Sequence, residues 1–216
     1  MTPILLAPLL LGCEDPNEFT FEGITTWNMF PFEQGRVWEY ISTDRSLSYK
    51  LVAELEGKPD VENSVNVYTV SYNERCVNND PDCEDFERFR IRWSSTPGQG
   101  VRVHTVIDPQ GIITFEPPLK VADSQMQLDE SIDTVSGGRT WTSSFAGLVG
   151  CDTNFPAGWD SCGSFTITND TVDVPSPVLG TWLASVGNGV ATIDFADEEG
   201  VWRLSDVDCG TCDGEW

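Results

Sequence analysis

The chain has 216 residues, and its 12 Lys and Arg against 35 Asp and Glu give a formal charge of -23. This charge repels polyanions, so it excludes nucleic acids as partners and disfavours anionic lipid surfaces, whereas cations and basic partners suit it. Eight Trp and eleven Phe are core-forming residues, and their number excludes a disordered chain. The length is sufficient for one sizeable domain, which buries roughly 70% of its extended-chain surface.

The chain begins with an apolar run that ends abruptly. Residues 4–11 are apolar, Gly12 and Cys13 follow, and acidic sequence starts at once. The run is too short to span a bilayer, which takes about 20 apolar residues, but it fits the apolar part of an export signal before a small-residue cleavage site. Its end, Leu-Leu-Gly-Cys13, resembles the lipobox of bacterial lipoproteins. The resemblance implies that residues 1–12 are a signal peptide and that Cys13 carries covalent lipid.

This resemblance also implies a place in the cell. The protein would be lipid-anchored in the bacterial cell envelope, at the periplasmic or surface face of the outer membrane, because two or three acyl chains anchor stably where one does not. Residues 13–30 would then form an acidic tether and residues 31–216 a single β domain. No Lys or Arg precedes the apolar run, although export signals normally begin with a positive region. The alternative is a buried N-terminal strand that contains Cys13 by chance.

Beyond Pro31 the dominant hydrophobic period is two, which predicts strands. The alternating runs are 36–42, 48–56, 65–75, 86–94, 100–107, 111–116, 139–146, 163–172, 190–196 and 200–207. Gly, Pro, Asn and Asp separate them and indicate turns. Only residues 121–135 offer a helix candidate, and their helical period is weak. The sequence therefore predicts an all-β fold, an antiparallel sandwich or open barrel of about ten strands stapled by disulfides.

Two short motifs are similar to those of known β proteins. Residues 29–40, MFPFEQGRVWEY, resemble an FPL-x-x-G-x-x-W-x-Y opening of bacterial secreted and lipid-anchored β proteins, and this resemblance implies no activity. Residues 180–182, Gly-Thr-Trp, resemble the G-x-W signature that opens the first barrel strand of lipocalins. Too few residues follow Trp182 to build a barrel after it, so we interpret this motif as a turn followed by a core tryptophan.

The cysteine count supports an oxidising compartment. There are seven, and an odd number in an exported protein leaves one to explain. Lipid on Cys13 leaves six, and their close spacing favours local disulfides among the fifteen connectivities that are open. The three close pairs are Cys76 with Cys83, Cys151 with Cys162, and Cys209 with Cys212. A redox pair at 209–212, or a zinc site shared with 151 and 162, remains an alternative to structural disulfides.

A basic stripe is the best local candidate for a site. In residues 86–93, FERFRIRW, strand alternation places Arg88, Arg90 and Arg92 together on one face. If a hairpin is centred on Pro97, Arg92 lies opposite Arg102 and Arg90 lies opposite His104. Like charges directly opposite one another are destabilising, so this arrangement needs compensation.

Two accounts of the compensation are open. Acidic residues of a third strand, such as Glu54 and Glu56, would form cross-strand ion pairs. Alternatively the stripe binds an anionic ligand, since Arg guanidinium groups suit carboxylate and phosphate. The candidate anion-binding residues are Arg88, Arg90, Arg92, Arg102 and His104.

An acidic loop at residues 78–85, NNDPDCED, is a candidate for Ca²⁺. Asp80, Asp82 and Glu84 place oxygen ligands at alternating positions. The Gly and Glu that the EF-hand pattern requires are not in place, and a solvated acidic loop is the alternative. We expect no other metal or cofactor.

Enzyme signatures are missing from the sequence: it contains no G-x-S-x-G, H-E-x-x-H, P-loop or G-x-G-x-x-G motif. A Ser–His–Asp triad would depend on the one histidine, His104, and the sequence names no nucleophile for it. We therefore expect a non-catalytic module that binds a protein, glycan or small-molecule partner at the membrane surface. The alternatives are a small-ligand carrier with an aromatic-lined barrel cavity and a hydrolase with paired carboxylates.

Overall fold

A computed structural model describes residues 29–32, 35–42, 49–77, 83–123, 126–151, 161–171, 176–185, 189–196 and 200–208. Within these residues the chain forms β-strands and no α-helix, and this part of the chain accordingly holds no helix long and apolar enough to cross a membrane. The strands are β1 (Val37–Ser42), β2 (Tyr49–Glu62), β3 (Val65–Cys76), β4 (Phe86–Thr96), β5 (Gly100–Asp108), β6 (Gly111–Ala122), β7 (Glu130–Ser136), β8 (Arg139–Val149), β9 (Cys162–Asn169), β10 (Gly180–Ser185), β11 (Gly189–Phe195) and β12 (Trp202–Asp208).

All of these strands belong to one antiparallel sheet. Its order is β6-β5-β4-β3-β2-β1-β12-β11-β10-β9-β8-β7. Strands that pair are consecutive in sequence except for β1 and β12, and β6 and β7 are the two ends of the sheet. The sheet curls on itself into a nearly closed barrel. The predicted all-β class is confirmed, and the fold is the barrel of the two alternatives, with twelve strands rather than about ten.

The helix candidate at residues 121–135 is wrong. Its first two residues complete β6 and its last six belong to β7, a strand that the sequence did not predict. The inward positions of β7 are Ile132, Thr134 and Ser136, so hydroxyls rather than large apolar groups fill two of its three core-facing sites. Because these inward residues are polar, β7 lacks the alternation of apolar and polar residues that predicts a strand.

A cluster of large aromatic side chains fills the barrel. Trp93, Trp141, Trp182 and Trp202 are each at most 2% exposed. The interior rings meet at angles and distances that favour aromatic pairs, as for Trp93 and Trp182 with centroids 5.8 Å apart and planes at 74°. The interpretation of Trp182 as a core tryptophan is therefore confirmed, and Gly180 before it begins β10.

Side chains join the two terminal strands of the sheet, β6 and β7. The Glu116 N–H donates to Ser136 Oγ at 2.7 Å, and the Lys120 N–H donates to Thr134 Oγ1 at 3.1 Å. Between these two donors residues 117–118 are both proline, which has no N–H to donate to a ladder. Hydroxyl groups of β7 therefore accept hydrogen bonds from backbone N–H groups of β6 where no backbone ladder joins the two strands.

The barrel has two distinct ends. The turns at residues 63–64 and 97–99 lie at one end, together with residues 29–32, and we call it the N-terminal end. The turns at residues 109–110 and 137–138 lie at the other, which we call the distal end. This division follows from the alternating directions of consecutive antiparallel strands.

Residues 29–32 are packed into the N-terminal end. Met29 and Phe30, which belong to the predicted acidic tether, are 2% and 3% exposed. The Phe30 ring centroid lies 5.7 Å from that of Trp93 and 6.1 Å from that of Phe165. These residues are therefore part of the core.

Two of the predicted disulfides are present. Cys76 is bonded to Cys83, and Cys151 is bonded to Cys162. The first lies at the distal end, between β3 and β4, and the second at the N-terminal end, between β8 and β9. The third predicted pair at positions 209 and 212, together with the lipidation site at position 13, lies outside the described residues.

Candidate functional site

The outer face of β4 and β5 carries most of the predicted basic stripe, and its cations are paired with carboxylates. The contacts are Arg90 with Glu56 at 3.2 Å and Glu87 at 2.7 Å, Arg92 with Asp60 at 2.8 Å and Glu62 at 2.6 Å, and Arg102 with Asp123 at 2.9 Å. Most of these acids belong to β2, two strands away. The long guanidinium side chains reach them because the intervening β3 presents the short side chains of Thr69 and Ser71.

These pairs agree with the cross-strand account of the stripe, in which acids of a third strand compensate the arginines. The carboxylates that take part are mostly well exposed, and exposed pairs of this kind each contribute at most about 1 kcal/mol. A free anion would have to displace them to reach the guanidinium groups. The surface is thus a mixed-charge network rather than a concentrated positive site.

Arg88 does not share this outer face, so its predicted place beside Arg90 is wrong. The β3–β4 register shifts between Tyr72 and Asn73, and this bulge turns Arg88 towards the barrel interior. There its guanidinium lies 3.3 Å from Glu74, which is 2% exposed, and its Cζ lies 5.3 Å from the ring centroid of Phe195. The buried Glu74 and the partly buried Arg88 form an ion pair at the distal end of the core.

The predicted hairpin register is also wrong. The turn is centred on Gly98 instead of Pro97, so Arg102 lies opposite Ser94. Gly100 fixes this turn: its φ is +74°, and a Cβ there would collide with the carbonyl oxygen of Ala122. A second shift between Arg92 and the next residue leaves His104 as the extra residue of a bulge. No two like charges are therefore directly opposite across the β4–β5 hairpin.

The bulge creates a hydrogen-bonded chain of three side chains on the outer face. His104 Nε2 lies 2.8 Å from Ser94 Oγ, and His104 Nδ1 lies 3.3 Å from Glu62 Oε2. With the proton on Nδ1, His104 donates to the Glu62 carboxylate and accepts the hydroxyl proton of Ser94. Ser94 is 3% exposed, whereas Glu62 stands at the surface. We call Ser94, His104 and Glu62 the serine–histidine–glutamate cluster.

The surroundings keep the imidazole of this cluster neutral near pH 7. Burial lowers the pKa of His104 below its ordinary value, because the charged ring loses hydration. The Glu62 carboxylate opposes this shift, and the guanidinium groups of Arg92 and Arg102 add to it. A neutral imidazole has a lone pair on Nε2 and can accept a proton.

The candidate Ca²⁺ loop is only partly within the described residues. Glu84 is exposed, whereas Asp80 and Asp82 lie outside them. Among the described residues no group of three or more His, Cys, Asp or Glu side chains is placed to hold a metal ion.

A cavity lies in the aromatic interior near the N-terminal end. Its volume is about 20 Å³, which is the room of one water molecule. The aromatic rings that line it belong to Phe30, Phe32, Trp38, Tyr40, Tyr72 and Trp93. Tyr40 donates its hydroxyl to the Val190 carbonyl at 3.0 Å, and burial raises the pKa of this phenol well above its ordinary value. The interior at this point is filled by side chains.

No family model matches the chain, and neither a curated protein nor a solved structure matches it.

The sequence named His104 and the arginines of the outer face, but it missed Ser94 and Glu62. Ser94 ends the predicted strand 86–94 and Glu62 lies beyond the predicted strand 48–56, and their positions beside His104 depend on the bulge and on β2 continuing beyond residue 56. The sequence contains a partial signal for Ser94, because Ser94 is the next outward position after Arg92. It contains no such signal for Glu62, because Glu62 lies in an extension of the strand beyond the turn-like sequence 57–60.

Proposed function

We propose that the protein is a lipid-anchored protein of the bacterial cell envelope and that it binds a partner at the membrane surface through the outside of its barrel. The lipobox-like segment ending at Cys13 supports the anchor. The disulfides Cys76–Cys83 and Cys151–Cys162 support an oxidising compartment, where such bonds persist.

The small cavity among the described interior side chains is the observation that supports the binding role. Ligand pockets commonly measure about 300–1,000 Å³, whereas the aromatic cavity holds about 20 Å³. Residues 29–32 occupy the N-terminal end, where a carrier of this shape would admit its ligand. Recognition on the outer surface fits this arrangement better than carriage of a ligand inside it.

The position of the N-terminal segment suggests which end of the barrel faces outwards. Because residues 29–32 enter at the N-terminal end, lipid at Cys13 would hold that end towards the membrane. The distal end would then point away from it. Phe86, 49% exposed, and Val77, 50% exposed, lie at the distal end near the Cys76–Cys83 disulfide. We infer that this end contacts the partner.

The charge of the chain limits the chemistry of that partner. A net charge of -23 repels acidic macromolecules and favours basic or uncharged protein surfaces and neutral glycans. Phe86 packs edge-on against Tyr49, with centroids 6.3 Å apart. Such exposed rings are groups that interfaces and glycan sites use, since they offer large contact area at low conformational cost.

Photo-crosslinking in the producing cell tests this surface. We replace Phe86 with a benzophenone amino acid and, as a matched control at the N-terminal end, do the same at Val61, which is 72% exposed. Irradiation should yield a discrete higher-mass adduct from position 86, because that end faces the partner, and a much weaker one from position 61. Equal yields from the two positions, or an adduct from position 61 alone, would contradict the proposed surface.

A further inference from the structure

We propose that Ser94, His104 and Glu62 form a nucleophilic site that accepts an acyl group from small neutral esters. This goes beyond the binding role, and each can be true without the other. Ser94 would be the nucleophile, His104 the general base, and Glu62 a positioning residue that holds the imidazole.

The order of contacts is the one that serine acyl transfer needs. A hydroxyl is a weak nucleophile until an adjacent base takes its proton, and the base needs a third group to fix its tautomer and orientation. His104 Nε2 lies 2.8 Å from Ser94 Oγ, within the reach of direct proton transfer. The contact of 3.3 Å between Nδ1 and Glu62 Oε2 holds the proton on the far nitrogen. Glu62 is itself held by Arg92 at 2.6 Å.

The electrostatic surroundings match these roles. The charged residues on strands that pack beside the imidazole are Glu62 on β2, Arg92 on β4, Arg102 on β5, and Glu116 and Lys120 on β6. Burial lowers the pKa of His104, the Glu62 carboxylate opposes this shift, and the two arginines add to it, so the imidazole can act as a base. The two arginines also favour the negative charge that develops on the carbonyl oxygen of an ester under attack.

Arg102 acts on the site through its charge rather than as a direct donor. It lies directly opposite Ser94 in the sheet, but its guanidinium bonds to the carbonyls of Val101 and Ala122 and to Asp123, on the side of β5 that faces β6. A charge that is fixed in advance costs little reorganisation when negative charge develops nearby.

The substrate class follows from access and charge. Ser94 is 3% exposed and its flanking side chains on the outer face are the long Arg92 and Arg102, so only a small acyl group can approach the hydroxyl. The carboxylates of Asp60, Glu62 and Asp123 border the site and repel anionic esters.

The proposed step is balanced in atoms and charge. Ser94 Oγ forms a bond to the ester carbonyl carbon while its proton passes to His104 Nε2. The bond from that carbon to the alcohol oxygen then breaks, and the imidazolium returns the proton to the leaving alcohol. Water attacks the acyl group in the same manner and restores the Ser94 hydroxyl, so the products are a carboxylic acid and an alcohol.

A fluorophosphonate probe tests the nucleophile directly on the full chain. Attack by Ser94 forms an O–P bond, releases fluoride and leaves the probe covalently attached, which intact mass and peptide mapping detect. We expect one adduct, at Ser94, that Ser94→Ala abolishes. Ser144→Ala is the matched control, because this half-buried serine bonds to another serine hydroxyl and not to the histidine.

Two further variants separate catalysis from structure. His104→Gln should lower the labelling rate by about 100-fold or more, which is the usual contribution of a general base. The rate should rise with pH to a midpoint below the ordinary histidine pKa, and Glu62→Gln should move that midpoint lower still, because the carboxylate stabilises the imidazolium. Urea unfolding of each variant checks that the barrel is intact.

Three outcomes would overturn the proposal. The first is that the folded wild-type protein forms no adduct at any pH from about 5 to about 9, a range that includes the ordinary pKa of histidine. The second is labelling of His104→Gln at the wild-type rate. The third is an adduct spread over several serines with no preference for Ser94.

Discussion

Replacing Trp182 with alanine should lower the free energy of unfolding by about 3–5 kcal/mol, the range measured for deletion of buried tryptophan and phenylalanine side chains. The Trp182 ring is 1% exposed and contacts Trp93, Tyr72 and Phe195, with centroids 5.8, 6.3 and 5.9 Å away. Its Nε1–H donates to the Val178 carbonyl at 3.1 Å, and the variant leaves that buried acceptor without its donor. Urea unfolding followed by far-ultraviolet circular dichroism measures the change.

Ile112→Ala is the control for the Trp182 variant. The Ile112 side chain is 69% exposed, so its truncation leaves no cavity. We expect a change within about 0.5 kcal/mol, as for surface substitutions in general. A loss below about 1 kcal/mol for Trp182→Ala would show that the aromatic cluster does not form the core described above.

Replacing Glu74 with glutamine should cost about 3 kcal/mol, the lower part of the range for breaking a buried ion pair from one side. The variant leaves the Arg88 guanidinium, whose side chain is 16% exposed, beside an uncharged amide. The Phe195 ring 5.3 Å from Arg88 Cζ compensates only in part, since a cation–π contact contributes about 0.5–2 kcal/mol. Urea unfolding at neutral pH measures the loss.

A more exposed ion pair provides the comparison. Glu54 lies 2.6 Å from Arg75, closer than the Glu74 to Arg88 distance of 3.3 Å, but these side chains are 33% and 40% exposed. Solvent screening makes such a pair contribute less than about 1 kcal/mol, so Glu54→Gln should have the smaller effect despite the shorter contact. Equal losses for the two variants would contradict the burial of Arg88.

The double variant Glu74→Gln with Arg88→Met distinguishes two causes of the lost stability. One is the charge that remains when its partner is removed, and the other is the loss of each side chain's own contacts. Removing both charges eliminates the cation that has lost its Glu74 carboxylate, so part of the stability lost in the single variant should return. A double variant less stable than either single variant would mean that the two side chains act independently.

The sequence predicted most strands because their core-facing positions are large and apolar. In the run from Phe89 to Trp93, inward Phe, Ile and Trp alternate with outward Arg, and this period of two predicts a strand. Strand β7 was missed because Thr134 and Ser136 occupy its inward positions. Their hydroxyls serve the β6–β7 junction, a tertiary contact that the local pattern does not contain.

The candidate sites were harder to predict because bulges determine them. An inserted residue reverses which face a side chain occupies, and no local pattern indicated the two bulges in β4 and its partners. One moved Arg88 from the predicted outer stripe to the interior. The other brought His104 beside Ser94. The sequence identified the residue types of the site, but their proximity depends on three strands and their register.

The mass of the full-length protein, expressed in a bacterium and extracted from its membranes, tests the central proposal most directly. The account predicts a chain that begins at Cys13, carries two or three acyl chains, and has lost six hydrogens through the pairing of its other six cysteines. The same measurement under native conditions should show no retained small molecule, because the cavity among the described interior residues measures only about 20 Å³. Cys13→Ser is the control and should leave the membrane fraction. A wild-type protein that keeps residues 1–12, carries no lipid and is recovered in the soluble fraction would contradict the proposed anchor.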